Sequence, residues 1–223
     1  MASLLIIFAK EPLPGQVKTR LCPPLSGEAA ALLYQNFLED ILEEMSRLPE
    51  ISLALACNPD SALNFFKKLA PADALLFPQE GADLSERLVR AFNRGFAVGF
   101  GRVLVRNSDS PDLPKEIVLT AAEVLESGRA DLVLGPSPDG WYYLVGLKKP
   151  QPRLFQGISW SSPTVLADTL DRARELSLSP YLLHSWPDID TIADLQAFAA
   201  RPYLPGGPGS RSFFYAQELL ANL

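Results

Sequence analysis

Short apolar runs alternate along the chain with segments of helical periodicity, and this alternation limits the possible folds more than any other feature. Several of the runs are apolar throughout, which is typical of strands that are covered on both faces. The predicted strands are residues 3–8, 51–57, 74–77, 102–105, 131–134, 141–147 and 181–183. Strands and helices that alternate at this spacing predict an α/β fold with a doubly wound, mostly parallel sheet.

The predicted helices carry recognisable start signals. Ser26 is a suitable N-cap, Pro114 and Pro163 each open a helix at its first position, and Thr191 with Asp194 matches a capping box. The predicted helices are residues 27–48, 83–98, 114–126 and 163–176, one that starts near Thr191, and 213–220. Residues 201–211 are rich in Pro and Gly and predict an irregular connection. We therefore expect residues 1–223 to form a single domain, with 201–223 as an irregular segment plus a C-terminal helix.

Composition excludes several classes of function. A formal charge of −6 argues against a nucleic-acid-binding surface, which needs a basic face. With one histidine, the chain cannot build a His-rich zinc site, and its two cysteines lack metal-type spacing. No apolar run reaches the roughly 18 residues of a membrane span, and residues 1–9 lack the basic start of a signal peptide. We expect a cytoplasmic protein without nucleic-acid or membrane partners; the oligomeric state stays open.

A basic loop follows the first predicted strand. Residues 10–20 contain one glycine, Gly15, and three cations, Lys10, Lys18 and Arg20. A loop of this kind can hold a diphosphate or triphosphate with backbone N–H groups and point charges. The alternative is a solvated surface loop that happens to be basic, but three cations concentrated here in an acidic chain favour the phosphate-binding interpretation.

Carboxylates follow two other predicted strands. Asp109 comes directly after one strand, and Asp188 and Asp190 follow the last one. In an extended segment Asp188 and Asp190 point the same way, and like charges that converge are costly unless a cation lies between them. Carboxylate ligands favour a hard ion such as Mg²⁺ or Mn²⁺. The alternatives are structural: a helix-start acid near Thr191, and Asp112 as the cap of the helix that opens near Pro114.

An acidic turn with aromatic neighbours joins two further strands. Asp139 and Gly140 are a hairpin signal, and Trp141 and Tyr142 follow at once, with Trp160 a little later. A carboxylate beside an aromatic wall suits a polar, ring-like or sugar-like acceptor. Turn chemistry and core packing alone are the alternative explanation.

Taken in order, these motifs resemble one known family. They are the segments 8–21 (FAKEPLPGQVKTRL), 83–87 (DLSER), 108–113 (SDSPDL), 135–140 (GPSPDG) and 188–191 (DIDT). The set is similar to a small glycosyltransferase-like family associated with radical-SAM and selenium domains. That family belongs to the nucleotide-diphospho-sugar transferase superfamily, whose fold is called GT-A, and it is similar to molybdenum-cofactor and 2-phospholactate guanylyltransferases. The resemblance covers roughly residues 3–198.

The resemblance implies roles for individual residues. Lys18 and Arg20 would contact the nucleotide phosphates, while Asp109, joined by Asp188 and Asp190, would hold the metal. Two positions depart from the pattern. Asn107 and Ser108 stand where relatives usually have a Gly-Thr or similarly small pair, and Trp141 stands where they usually have glycine.

The sequence therefore predicts a metal-dependent, nucleotide-using transferase with a small-molecule acceptor. Its predicted nucleotide-binding residues are Lys10, Gly15, Lys18, Thr19, Arg20 and Ser108. Lys18 would also act in catalysis by neutralising charge on the leaving group, and Asp139 would act as general base or orient the acceptor. Glycosyl transfer from a nucleotide-sugar and nucleotidyl transfer from an NTP both fit. Trp141 motivates one alternative, a nucleotide-binding or regulatory module without turnover; a serine hydrolase using His184 is a weaker one.

Overall fold

All seven predicted strands are present, and they form one sheet. They are β1 (Ser3–Lys10), β2 (Ile51–Asn58), β3 (Leu75–Pro78), β4 (Arg102–Arg106), β5 (Leu132–Pro136), β6 (Tyr142–Leu147) and β7 (Pro180–Leu182). A computed structural model describes residues 2–202 and 208–223. In it the strand order is β3-β2-β1-β4-β6-β5-β7. β6 is antiparallel to both of its neighbours, whereas all the other pairs are parallel. The predicted fold class is therefore confirmed.

Helices cover both faces of the sheet. They are α1 (Gly27–Met45), α2 (Leu63–Leu69), α3 (Leu84–Ala97), α4 (Lys115–Glu126), α5 (Val165–Glu175), α6 (Ile192–Ala199) and α7 (Ser210–Ala221). Helix α2 was not predicted, because seven residues are too few to establish a helical period. The predicted irregular connection at 201–211 lies partly outside the described residues, and α7 begins three residues before the predicted helix at 213.

Two apolar layers sandwich the sheet. Alternate residues of β1 contribute to opposite layers: Leu5 and Ile7 pack with α1, α4, α6 and α7, and Leu4 and Ile6 pack with α3 and α5. All four side chains are almost completely buried. A central parallel strand covered on both faces explains why this run is apolar without alternation. No helix of the described residues is both long and apolar enough to cross a membrane.

The helix-start predictions are partly confirmed. The Ser26 hydroxyl accepts a hydrogen bond from the Ala29 N–H at 3.1 Å, and Thr191 forms the predicted capping box. Helices α4 and α5 begin one and two residues after Pro114 and Pro163. The interpretation of Asp112 as a cap is wrong, because its carboxylate accepts from the Trp186 indole N–H at 3.0 Å and pairs with Arg201.

The strand order places a crevice beside β1. β1 pairs with β2 on one side and with β4 on the other, so the direction in which the sheet grows reverses between β1 and β4. In doubly wound sheets, ligands bind outside the carboxyl ends of the strands at such a reversal. The polar loops after β1, β4, β5 and β7 all leave the sheet at this edge.

Candidate active site

One large pocket, with a volume of about 880 Å³, lies at this edge. Most of the residues predicted from sequence line it: Lys10, Lys18, Thr19, Arg20, Ser108, Asp109, Asp139, Trp141, Tyr142, Trp160, Asp188 and Asp190. Gly15 and Gly140 do not line it. Four loops that are far apart in the sequence therefore meet at one pocket, which has the size of a typical small-molecule site.

The Lys18 ammonium group lies inside the acidic cluster. Its Nζ donates to Asp109 Oδ1 at 2.5 Å, to the Ile189 carbonyl oxygen at 2.7 Å and to Asp190 Oδ1 at 2.9 Å. An ammonium group has three N–H donors, so all of them are engaged within the protein. This differs from the expected phosphate contact: Lys18 is bound to carboxylates, and Arg20 and Lys10 are the exposed cations of the loop.

Burial and backbone conformation both mark Lys18 as unusual. Its side chain is only 3% exposed, and the residue adopts a left-handed conformation with φ 48°. Such a conformation is costly for a residue other than glycine and persists where surrounding contacts hold it. Burial would lower the pKa of Lys18, but the carboxylates of Asp109 and Asp190 outweigh this effect and raise the pKa above its ordinary value.

Asp188 has hydrogen-bond partners of its own, different from those of the other two carboxylates. Its Oδ1 accepts from Ser110 Oγ at 2.6 Å and from Asn107 Nδ2 at 2.9 Å, and its Oδ2 accepts from Ser137 Oγ at 3.3 Å. Burial, together with the nearby charge of Asp109, raises the pKa of Asp188 to about 6. The expectation that Asp188 and Asp190 converge stays a prediction: hydrogen-bond donors hold Asp188, Lys18 binds Asp190, and both residues line the same pocket.

The oxygen donors at Lys18 are chemically suited to a hard divalent ion. Asp109, Asp190 and the Ile189 carbonyl supply oxygen only, which is the ligand type that Mg²⁺ and Mn²⁺ prefer. Within the described part of the chain, no three side chains of the His, Cys, Asp and Glu types are grouped closely enough to hold a metal ion. The predicted role of the three aspartates as metal ligands remains a prediction.

Ser108 forms part of the pocket wall with its hydroxyl already bonded. It donates to the Phe8 carbonyl oxygen at 2.9 Å and shares a 2.6 Å hydrogen bond with the Tyr34 hydroxyl. Burial, with a further contribution from the Asp109 charge, raises the pKa of Tyr34 to about 12, so this phenol is neutral. These bonds fix the loop after β4 against β1 and α1.

Arg106, at the end of β4, is a buried cation that the sequence analysis did not single out. It is 1% exposed, and its guanidinium donates to the carbonyl oxygens of Ser110 at 2.7 Å and Asn107 at 3.1 Å. Its Nη1 is buried and has no hydrogen-bond partner among the described residues. Burial lowers the pKa of Arg106 to about 10, but the group stays charged at neutral pH beside the acidic cluster.

Aromatic side chains form another part of the pocket lining, called the aromatic wall below. The Trp141 and Trp160 rings lie 6.0 Å apart, and Tyr142 packs edge-on against Trp160 at 6.3 Å. The Trp160 indole N–H donates to Ser85 Oγ at 2.6 Å, which ties this wall to the start of α3. Asp139 is exposed in the turn, where its Oδ1 accepts from the Trp141 N–H at 3.1 Å.

Gly140 packs the turn before the aromatic residues against the segment at the start of α5. It has φ 90°, and a Cβ atom there would lie 1.8 Å from the Pro163 carbonyl oxygen. Its own carbonyl oxygen accepts from the Leu166 N–H at 2.9 Å. The predicted hairpin turn is present, and glycine is needed because the turn packs directly against the segment that enters α5.

Several pocket residues were missed by the sequence analysis. Tyr34, Gln79, Arg87 and Arg106 all contribute to its lining. The motif DLSER at residues 83–87 offered a signal for Arg87, which is its last residue. Asp83, its first residue, caps α3 by accepting from the Glu86 N–H. A smaller cavity of about 210 Å³ adjoins the pocket and shares Arg87 with it.

Comparisons with known proteins agree with this architecture. A structure of a proposed nucleotide-diphospho-sugar transferase from Desulfovibrio desulfuricans G20 is 33% identical, with a TM-score of 0.90, and the match covers 99% of this chain and 96% of that one. CMP:2-keto-3-deoxy-manno-octonic acid synthetase complexed with CTP is 12% identical, with a TM-score of 0.55 over 88% of this chain and 96% of that one. A cytidylyltransferase from Leptospira borgpetersenii serovar Hardjo-bovis is 11% identical, with a TM-score of 0.56 over 99% of this chain and 96% of that one. The last two show the fold alone.

Sequence comparison gives the family. No functionally curated protein matches the chain. A family model described as "Uncharacterized protein conserved in bacteria (DUF2064)" matches residues 41–162, more than half of the chain. With its nucleotide-diphospho-sugar transferase fold, the chain thus belongs to the DUF2064 family.

Proposed function

We propose that this protein is a nucleotide-using transferase that moves a group to a small acceptor through a hydroxyl of that acceptor. One observation carries the proposal: a single pocket of about 880 Å³ is lined by cations and also by a carboxylate with aromatic rings. The similar structures of transferases support it. The order of motifs also supports a relationship to the glycosyltransferase-like and guanylyltransferase families that the sequence resembles.

The cationic wall suits the phosphates of a nucleotide. Lys10 and Arg20 are exposed at the two ends of the loop after β1, and Arg87 faces the same pocket from α3. Cations that reach a diphosphate stabilise negative charge as it develops on the leaving group. These three residues, rather than the buried Lys18, are the candidates for that role.

The aromatic wall suits an uncharged acceptor. Its two segments, residues 136–147 and 159–163, contain no Lys, Arg or His, but they supply Asp139 and the indole rings of Trp141 and Trp160. A phosphate-bearing acceptor would meet a carboxylate on these segments and no cation from them. A sugar or polyol would stack on the rings and donate a hydroxyl hydrogen bond to Asp139.

The reaction follows from this arrangement. The acceptor oxygen forms a bond to the transferred sugar carbon, the bond between that carbon and the nucleoside diphosphate breaks, and Asp139 takes the hydroxyl proton. Nucleotidyl transfer to the same hydroxyl, with pyrophosphate leaving, is the second chemistry. A Mg²⁺ or Mn²⁺ ion held by Asp109 and Asp190, with Asp188 beside them, would add positive charge near the phosphates when bound.

A nucleotide panel tests the proposal. Thermal shift with the four NTPs and common nucleotide-sugars, with and without Mg²⁺, should show one ligand class that raises the melting temperature, because ligands that bind only the native state stabilise it. Arg20→Ala should reduce that shift, whereas Arg129→Ala, on an exposed turn outside the pocket, should leave it unchanged. Failure of every nucleotide would overturn the proposal.

Product analysis then separates the chemistries. Release of a nucleoside diphosphate from a nucleotide-sugar, in the presence of neutral polyols, identifies glycosyl transfer; release of pyrophosphate from an NTP identifies nucleotidyl transfer. Nucleotide binding without release of either product would support the alternative of a binding module without turnover.

A further inference from the structure

The oxygen atoms best placed to hold a metal ion already hold a cation of the protein itself. Asp109 Oδ1, Asp190 Oδ1 and the Ile189 carbonyl oxygen surround Lys18 Nζ at 2.5 to 2.9 Å. They come from the loops after β4 and β7, whereas Lys18 comes from the loop after β1. The ammonium group is thus the shared partner of two loops that are otherwise joined near this point by the backbone hydrogen bond from Ile189 N to the Asp109 carbonyl oxygen.

Exposure differs sharply between the cation and its partners. The Lys18 side chain is 3% exposed, but those of Asp109 and Asp190 are 34% and 36% exposed. The carboxylates therefore remain open to the pocket, whereas the ammonium group is enclosed and lies 5.3 Å from the centre of the Phe37 ring. An ion that enters from the pocket reaches the carboxylates without having to pass Lys18.

Charge and coordination make Lys18 and a divalent ion competitors. A hard ion bound to the same three oxygens would weaken the three ammonium hydrogen bonds, and the two cations would repel each other. Removing the lysine charge would leave Asp109 without its ion-pair partner and Asp190 with only the exposed Arg20 guanidinium, 3.7 Å away, which favours the binding of a cation. The left-handed backbone at Lys18 is held in place by these contacts.

We infer that Lys18 is the resident counter-ion of the acidic cluster and that it competes with a divalent cation for Asp109 Oδ1, Asp190 Oδ1 and the Ile189 carbonyl oxygen. Lys18 is then a positioning residue that keeps the two carboxylates together until the ion displaces it. The inference rests on the proposed function for the identity of the incoming ion, but it requires no nucleotide and no turnover.

Direct metal titration tests the inference. Mn²⁺ binding followed by electron paramagnetic resonance should be at least tenfold tighter in Lys18→Met than in the wild-type protein, because the internal competitor is gone. Lys67→Met, exposed on α2 and outside the pocket lining, is the matched control and should leave Mn²⁺ affinity unchanged. Equal or weaker Mn²⁺ binding by Lys18→Met would overturn the inference.

A second measurement uses the wild-type protein and does not depend on how the variant folds. An amine-acylating reagent followed by mass spectrometry should modify Lys18 slowly without Mg²⁺ and at least several-fold faster with it, relative to Lys10 in the same sample. Unchanged or slower labelling of Lys18 would contradict competition. Neither measurement involves a nucleotide, so the two proposals can fail separately. If no nucleotide binds but both metal measurements give the expected result, only the transferase proposal is overturned. If a nucleotide binds but the metal measurements fail, only this inference is overturned.

Discussion

Asp188 combines burial with a set of fixed hydrogen bonds. Its carboxylate accepts from Asn107, Ser110 and Ser137, yet burial still raises its pKa from 3.8 to about 6. The folded protein therefore binds this proton more tightly than the unfolded chain does. The ionised form costs stability, and this cost appears as the pH rises from about 4 to about 6.

Asp188→Asn should consequently stabilise the metal-free protein at neutral pH. The amide oxygen can still accept from Asn107 and Ser110, and the amide nitrogen can donate to Ser137. The gain in the free energy of unfolding should be about 2 to 3 kcal/mol at pH 7, since one pKa unit corresponds to about 1.4 kcal/mol, and it should vanish near pH 4. Urea unfolding with EDTA at several pH values measures it.

Asp131, a carboxylate whose pKa is lowered rather than raised, provides the control. The Lys148 ammonium group, 2.8 Å from Asp131, lowers the pKa of Asp131. A lowered pKa contributes stability above the unfolded-state value, so Asp131→Asn should lose stability at pH 7 and approach wild type in acid. If Asp188→Asn also lost stability at pH 7 under these conditions, the burial cost assigned to Asp188 would be wrong.

Gly140 is the residue whose replacement should most disturb the aromatic wall. A Cβ atom would overlap the Pro163 carbonyl oxygen, and φ 90° disfavours any side chain. Gly140→Ala should cost about 3 kcal/mol or more, as expected for combined overlap and backbone strain. Gly128 separates the two effects, because it has φ 72° but a Cβ atom added there would meet no heavy atom within 4 Å. Gly128→Ala should cost only about 1 kcal/mol, and equal losses by urea unfolding would contradict the proposed overlap.

At the scale of elements, α7 depends on a carboxylate from α1. The Asp40 side chain is buried and accepts from the Ser212 N–H at 2.8 Å, the Ser212 hydroxyl at 2.6 Å and the Arg211 N–H at 3.2 Å. Gly209, the N-cap of α7, has no side chain to do this. Asp40 therefore caps a helix that lies far along the chain from its own.

Asp40→Ala should therefore destabilise the fold by about 2 to 4 kcal/mol, because it leaves buried N–H donors at a helix start without acceptors. Glu43 lies one turn later on α1, is exposed, and pairs with Arg211 at 2.5 Å. Glu43→Ala should cost less than about 1 kcal/mol, as exposed ion pairs do. Urea unfolding of both variants measures the difference, and similar losses would show that Asp40 acts only through charge.

At the scale of the molecule, sequence periodicity was sufficient to predict the strands and a mostly parallel sheet, but not the strand order or the reversed direction of β6. Buried parallel strands impose uninterrupted apolar runs, and the rule that loops at the carboxyl ends share a crevice brought Lys10, Asp109 and Asp139 to one pocket. The position of Lys18 could not be predicted in this way, because side-chain direction in a loop decides whether a lysine faces the open pocket or binds neighbouring carboxylates. Arg106 was missed because it ends an apolar strand, where its burial follows only from tertiary packing.

The reversed strand β6 brings a hairpin to the pocket that is far in sequence from the loop after β1. Because β6 runs against its neighbours, it presents its beginning at the edge where the other strands present their ends, and a tight hairpin supplies Asp139 and Trp141 there. Under the proposed function, substitutions confined to that hairpin would change the choice of acceptor and leave the loop after β1 intact. The acceptor would then diversify without a change in how the donor is recognised.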